Sequence, residues 1–239
     1  MVSLQCYPMG DKAILVKFND NVTPTLNQQI RSLCLSLQNQ TLPGIVEWVP
    51  SFDTVTIYYQ PDKLSYEQVS EHIHHLSKTT GRTNTESYLI EVPVLYGNEY
   101  GIDMERVAQS SNLPIEKVIE MHSKPEYLVY MIGFLPGFPY VGGLPERLAT
   151  PRLESPRSKV PAGSVGIAGS QTGIYPLESP GGWNIIGRTP LRLFNPKISN
   201  PFLFKAGDYI RFKRITEDEY QQIERDIQEN RYTIRKEVR

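Results

Sequence analysis

The sequence has little of what thiol and metal chemistry needs. Cysteine occurs twice in 239 residues, at Cys6 and Cys34, and none of the four histidines lies beyond His122. Two cysteines make neither a zinc-type ligand repeat nor a disulfide framework, so no metal site is expected. No run approaches the roughly 18 apolar residues of a membrane-spanning helix. The first residues, Met1 to Cys6, carry neither the basic nor the apolar segment of a secretory leader. These absences predict a soluble, cytoplasmic protein with reduced thiols and no membrane partner. An excess of one charge is also missing, with 25 Lys and Arg against 26 Asp and Glu. Without a net positive field, nucleic acid is not the expected partner.

Glycine and proline, in contrast, are crowded. Of the 36 in the chain, 20 fall between Met131 and Pro190, a quarter of the length. That quarter contains no His and no Cys, so chemistry located there must rest on arginine, hydroxyl, amide and backbone groups.

The first ninety residues read as strands and helices in turn. Ala13 to Phe18 is a short strand-like run, and Thr23-Pro24 marks a helix start with a capping residue followed by proline. Leu26, Ile30, Leu33 and Leu37 then form one buried helical stripe. Ile45 to Val49 and Thr54 to Tyr59 predict a hairpin around Pro50 to Asp53. Ser65 caps a second helix with Val69, Ile73 and Leu76 inside, and Tyr88 to Val92 supplies a last strand. The order β-α-β-β-α-β is that of a ferredoxin-like domain, a fold too widely used to indicate function. A short polar boundary near Thr79 to Ser87 gives domains at 1–85 and 86–239.

The second domain opens with two short helices, around Met104 to Ala108 and Ile115 to His122. Short strands with Gly and Pro punctuation follow, at Tyr127 to Phe134, Gly163 to Ala168, Trp183 to Gly187, Leu191 to Asn195 and Tyr209 to Lys213. This pattern predicts a closed or sandwich-like β domain. Thr216 caps a final helix docked by Tyr220, Ile223 and Ile227, and the charged end from Arg231 to Arg239 reads as frayed. The fold class is therefore α+β.

Val160 to Gly187 holds 28 residues and one formal charge, Glu178. A stretch that avoids charge yet keeps Ser164, Gln171, Thr172 and Asn184 offers neutral hydrogen-bonding groups to a small polar ligand. Barrel corners also need glycine, so the neutral polar side chains are the stronger signal. The stretch carries no phosphate-loop fingerprint and no nucleophile elbow. Pro151-Arg152 and Pro156-Arg157 lie just upstream and Arg188 just downstream. Proline stiffens the turns that present the two arginines, which favours a clamp on carboxylate or phosphate. His122, at a helix C-terminus, is placed where the dipole favours its charged form and is a candidate acid–base group, against its plainer reading as a packing residue. The spacing of His72, His74 and His75 places no pair four apart, which leaves them as surface residues. Phe134, Phe138 and Tyr140 sit in a Gly/Pro turn and can wall a pocket or plug a barrel end.

Several long motifs together resemble one family. They are Gly133 to Tyr140, Pro151-Arg152 with Pro156-Arg157, Val160 to Val165, Gln171 to Pro176 and Ser179 to Pro190, with Gly10-Asp11 and Lys205 to Asp208 toward the ends. The chain is similar over nearly its whole length to the allophanate hydrolase subunit 1 family. The resemblance implies a cyclophilin-like β-barrel after the N-terminal α/β domain. It also implies a component of an ATP-dependent 5-oxoprolinase, inactive without partner subunits A and C, which converts 5-oxo-L-proline to L-glutamate. ATP is then needed at the level of the complex. An alternative within the same family is an inhibitor that binds a sensor histidine kinase and blocks its autophosphorylation. On this reading His122, Arg152 and Arg157 are the catalytic candidates. Phe134, Ser164, Gln171, Thr172, Tyr175, Trp183, Asn184 and Arg188 are the substrate-binding candidates.

Overall fold

The hairpin that opens the chain turns at Gly10, whose φ of +67° is a glycine conformation. In the computed structural model, which describes residues 3–79 and 86–239, strands β1 (Leu4–Pro8) and β2 (Ala13–Phe18) flank this turn. They pair from Leu4 opposite Phe18 to Pro8 opposite Ile14. Helix α1 (Pro24–Asn39) starts where the Thr23 hydroxyl accepts the Leu26 amide at 3.2 Å. Strands β3 (Ile45–Pro50) and β4 (Thr54–Tyr59) form the expected hairpin, and Ser65 accepts the Gln68 amide at the start of α2 (Tyr66–Thr79). The sheet runs β1-β2-β4-β3, with every pair antiparallel. Both predicted helical stripes bury against Ile14, Val16, Val55 and Ile57, which makes a self-contained core.

The element order in this unit differs from the sequence reading. Tyr88 does not close the first sheet, because the free edge of β2 is already occupied by β1, a strand whose weak apolar alternation gives little signal. Residues 88–96 instead begin the second unit. The chain divides into Met1–Thr85 and Glu86–Arg239, each with its own core.

Strand β5 (Tyr88–Tyr96) is apolar on both faces, and it is flanked along its length by parallel β13 (Tyr209–Arg214). Helices α3 (Met104–Ser111) and α4 (Ile115–Ser123) follow it, as predicted. Between α4 and β13 lie β6 (Tyr127–Ile132), β7 (Pro139–Gly142), β8 (Arg157–Val160), β9 (Ser164–Ala168), β10 (Gln171–Ile174), β11 (Ser179–Gly181) and β12 (Asn184–Arg188). Seven strands close a barrel in the order β12-β9-β10-β7-β6-β13-β5, with β12 returning to β5. This arrangement fits the cyclophilin-like expectation. β8 and β11 form a separate two-stranded ribbon.

Val92, Val94, Val129, Val165, Ile167, Ile174, Ile186, Ile210 and Phe212 are buried in one core, which also takes up Val107 of α3 and Val118 of α4. Helix α5 (Glu217–Gln228) carries the predicted cap as a reciprocal Thr216–Glu219 box, and Tyr220 is buried. Residues 191–195 are not a strand; prolines at 190 and 196 remove amides that a ladder would use, and only a Phe194–Phe202 bridge forms there. The C-terminal end is not frayed either. Lys236–Val238 forms β14 on the free edge of β5, and the flanking Arg235 and Arg239 pair with Glu91 and Glu126. No helix among the described residues is long and apolar enough to cross a membrane.

Candidate functional site

Side chains alternate along β9, so Val165 and Ile167 enter the barrel while Ala168 joins a second apolar cluster with Phe138, Val160, Tyr175, Trp183 and Ile185. The aromatic members meet edge to face, Phe138 to Trp183 at 5.5 Å and Phe138 to Tyr175 at 5.6 Å between centroids. These three rings, with Phe134, Tyr140, Arg152 and the Pro180-Gly181-Gly182 segment at the end of β11, line a cavity of about 140 Å³. Glycine at 181 suits this contact, since a Cβ there would stand 2.8 Å from Cζ of the Tyr175 ring and force a shift.

Phe134 projects at the rim with φ +67° and 73% exposure, an unusual state for an aromatic residue. Gly137, at φ +83°, gives the turn its freedom, and the Gly133 amide donates to Phe138 O at 3.1 Å. Arg152 is exposed at the cavity, and no carboxylate pairs with it among the described residues. Burial raises the phenol pKa of Tyr140 and Tyr175, and the Arg152 charge opposes that rise at both. Both phenols therefore remain neutral beside a free cation. The result is a small aromatic pocket with one guanidinium at its mouth, suited to a compact anion with a flat apolar body.

The sequence candidates separate into two sets. Phe134, Arg152, Tyr175 and Trp183 come together at the pocket. Arg157 does not act as a second clamp: its Nη2 donates to Asp103 Oδ1 at 2.6 Å, so its charge is already matched within the fold. Asn184 is fully buried, accepting from Arg106 Nε at 3.0 Å and donating to Pro151 O and Ile167 O. Asn184 is therefore engaged inside the fold and does not line the pocket.

His122 and Thr172 lie inside the barrel. The Thr172 hydroxyl has one proton and donates it to Gly166 O at 2.9 Å, so it accepts from His122 Nε2 at 2.8 Å. Nδ1 then accepts from the Tyr96 hydroxyl, also at 2.8 Å. The imidazole is stacked on Phe212, and burial lowers its pKa to about 3. Desolvation thus outweighs the helix dipole that favoured a charged histidine, and the ring is sealed from any substrate.

Ser164 and Arg188 face one another across β9 and β12, away from the pocket; Arg188 lies over the Tyr100 ring at 5.5 Å. Gln171 is half-buried at the start of β10, opposite Ala168. The sequence reading missed Asp103 and Arg106 as ties to this region, because each bonds to residues more than fifty positions away. Phe138 and Tyr140 were visible as an aromatic cluster in the same turn as Phe134. Among the described residues, no group of three His, Cys, Asp or Glu side chains is placed to hold a metal ion.

Residues 4–204 match the family described as carboxyltransferase domain, subdomain C and D. The chain is 40% identical over 230 residues to the B subunit of 5-oxoprolinase from Bacillus subtilis (strain 168), covering 92% of this chain and 96% of that protein. Among solved structures, a conserved uncharacterized protein from Pyrococcus horikoshii is 48% identical with a TM-score of 0.54, covering 90% of this chain and all of the other. The TTHA0988 structure is 34% identical with a TM-score of 0.76 over 86% of this chain. This chain spans only 40% of that longer one.

Proposed function

Because the chain belongs to the carboxyltransferase-domain family of subdomains C and D, we propose that it serves as the B subunit of a 5-oxoprolinase. The end-to-end similarity to the Bacillus subtilis protein of that name carries this reading. In this role the chain works with an A and a C subunit in the cytoplasm and is inactive alone. The complex opens the ring amide of 5-oxo-L-proline with water to give L-glutamate, while ATP becomes ADP and phosphate. ATP is required because the amide nitrogen donates its lone pair into the carbonyl, which makes the carbonyl carbon a poor electrophile.

The pocket supports a share in binding the small substrate. Its volume of about 140 Å³ is below the roughly 300–1,000 Å³ of sites for drug-sized ligands, so it has room for a five-membered ring but not for a nucleotide. Arg152 would hold the ring carboxylate through paired N–H donors, while Trp183, Phe138 and Tyr140 cover the ring faces. On this assignment the nucleotide is bound by the companion subunits.

Reconstitution tests the reading directly. The three subunits together should release ADP and glutamate in equal amounts when given ATP and 5-oxo-L-proline, and omission of this chain should abolish turnover. Full turnover without this chain, or none with all three subunits, would overturn it and return the chain to the class of binding modules.

A further inference from the structure

An aspartate at a helix N-cap ordinarily turns its carboxylate onto the first amides of its own helix. Asp103, the N-cap of α3, makes no such bond. Its carboxylate turns to β12 instead. Oδ2 accepts from the Ile185 amide at 2.7 Å, Oδ1 accepts from Arg157 Nη2, and the Asp103 amide donates to Ile185 O at 2.9 Å. Arg157 Nη1 in turn reaches Trp183 O at 3.4 Å.

One helical turn further on, Arg106 holds Asn184, which donates to Pro151 O at 2.9 Å. On the other side of Arg152, the Leu153 amide donates to Gly182 O at 2.8 Å. Two side chains from the start of α3 therefore fasten both walls of the pocket, although neither lines it. One link leads to the Trp183 ring and the other to the backbone that carries Arg152.

We infer that Asp103 and Arg106 are positioning residues for the pocket, setting the separation between the Trp183 ring and the Arg152 guanidinium and hence the size of anion the pocket accepts. The reference to a bound anion rests on the functional reading above; the geometry of the two walls does not. The bond that Asp103 withholds from its own helix is directed to the strand where the pocket begins, which is the arrangement a positioning role requires.

The test uses a Trp48→Phe background, in which Trp183 is the only tryptophan. Asp103→Asn and Arg106→Gln should raise acrylamide quenching of Trp183 about twofold in the isolated chain. In the reconstituted complex they should raise KM for 5-oxo-L-proline about tenfold with kcat within twofold. Arg106→Lys, which keeps a donor, should recover part of the loss. Adding Arg157→Ala to Asp103→Asn should bring no further loss, because both changes break one link. Folded variants that melt at a lower temperature but keep the wild-type KM and Trp183 quenching would reduce the pair to a structural role and overturn the inference. If Asp103→Asn does not fold, Arg106→Gln decides by the same readouts. A wild-type complex without turnover would count against the functional reading, and quenching of Trp183 would still decide the positioning role.

Discussion

Gly181 lies directly against the Tyr175 ring, so close that its hydrogen occupies the space a methyl group would need. Phe138 and Trp183 hold the Tyr175 ring edge-on, so it moves aside only by giving up those contacts. Gly181→Ala should therefore destabilise the chain by about 1–3 kcal/mol through overpacking. It should also displace the Tyr175 ring toward the cavity. Urea unfolding measures the first effect, and a fall in affinity for 5-oxo-L-proline measures the second.

Arg152 and Arg157, five residues apart, should respond in opposite ways to alanine. Arg152 is exposed and has no carboxylate partner among the described residues, so Arg152→Ala should leave the melting temperature nearly unchanged. It should lower kcat/KM of the reconstituted complex about 10- to 100-fold, the range expected for losing a hydrogen bond to a charged group. Arg157→Ala strands the nearly buried Asp103 carboxylate, a loss of about 3 kcal/mol in stability. An Arg152→Ala enzyme with unaltered kcat/KM would remove that residue from the site.

Phe134 is held in the left-handed region at a cost of about 1–3 kcal/mol. Phe134→Gly removes that strain, so stability should hold or rise although a side chain is lost. Ligand affinity should fall, since the ring lines the cavity. A parallel fall in both quantities would show that Phe134 packs the fold rather than serves the pocket.

The buried His122 sets a pH dependence whose sign follows from its protonation in each state. Its pKa is about 3 in the folded chain and near 6.5 when unfolded, so between these values the unfolded state takes up a proton that the folded state refuses. This contribution is complete above about pH 6.5 and is lost progressively as pH falls toward 3, with a limiting slope of about 1.4 kcal/mol per pH unit. His122→Phe should lower stability at pH 7 by about 1–3 kcal/mol, because the Tyr96 hydroxyl loses its acceptor. The same variant should remove that part of the acid slope in denaturant titrations at several pH values.

Local signals made the helices and most strands legible. Thr23-Pro24, the stripe from Leu26 to Leu37, and the Thr216–Glu219 box each act within a few residues, and each formed as read. Strand partners were not legible. Nothing near Tyr88 states that β5 will lie beside β13, and the free edge of β2 was filled by a strand with almost no pattern. The pocket was half legible for the same reason. Phe134, Arg152, Tyr175 and Trp183 sit in the motif-rich quarter and converge. Whether an arginine there is free depends on Asp103, 54 residues before Arg157, which no local reading supplies. His122 failed differently, because the helix dipole is a local term and burial in a closed barrel is a global one.

The last strand also has a meaning for how such a unit can be joined to other chains. β14 lies on β5 at Tyr88 to Ile90, and the Arg239 amide donates to Ser87 O at 2.9 Å, so the second unit begins and ends at one point on its surface. A body whose two ends meet can be inserted into a host loop, or reopened elsewhere with its ends linked, without bending its barrel. Such a unit is portable: continuing the polypeptide on either side makes a longer protein and leaves the pocket's walls where they are.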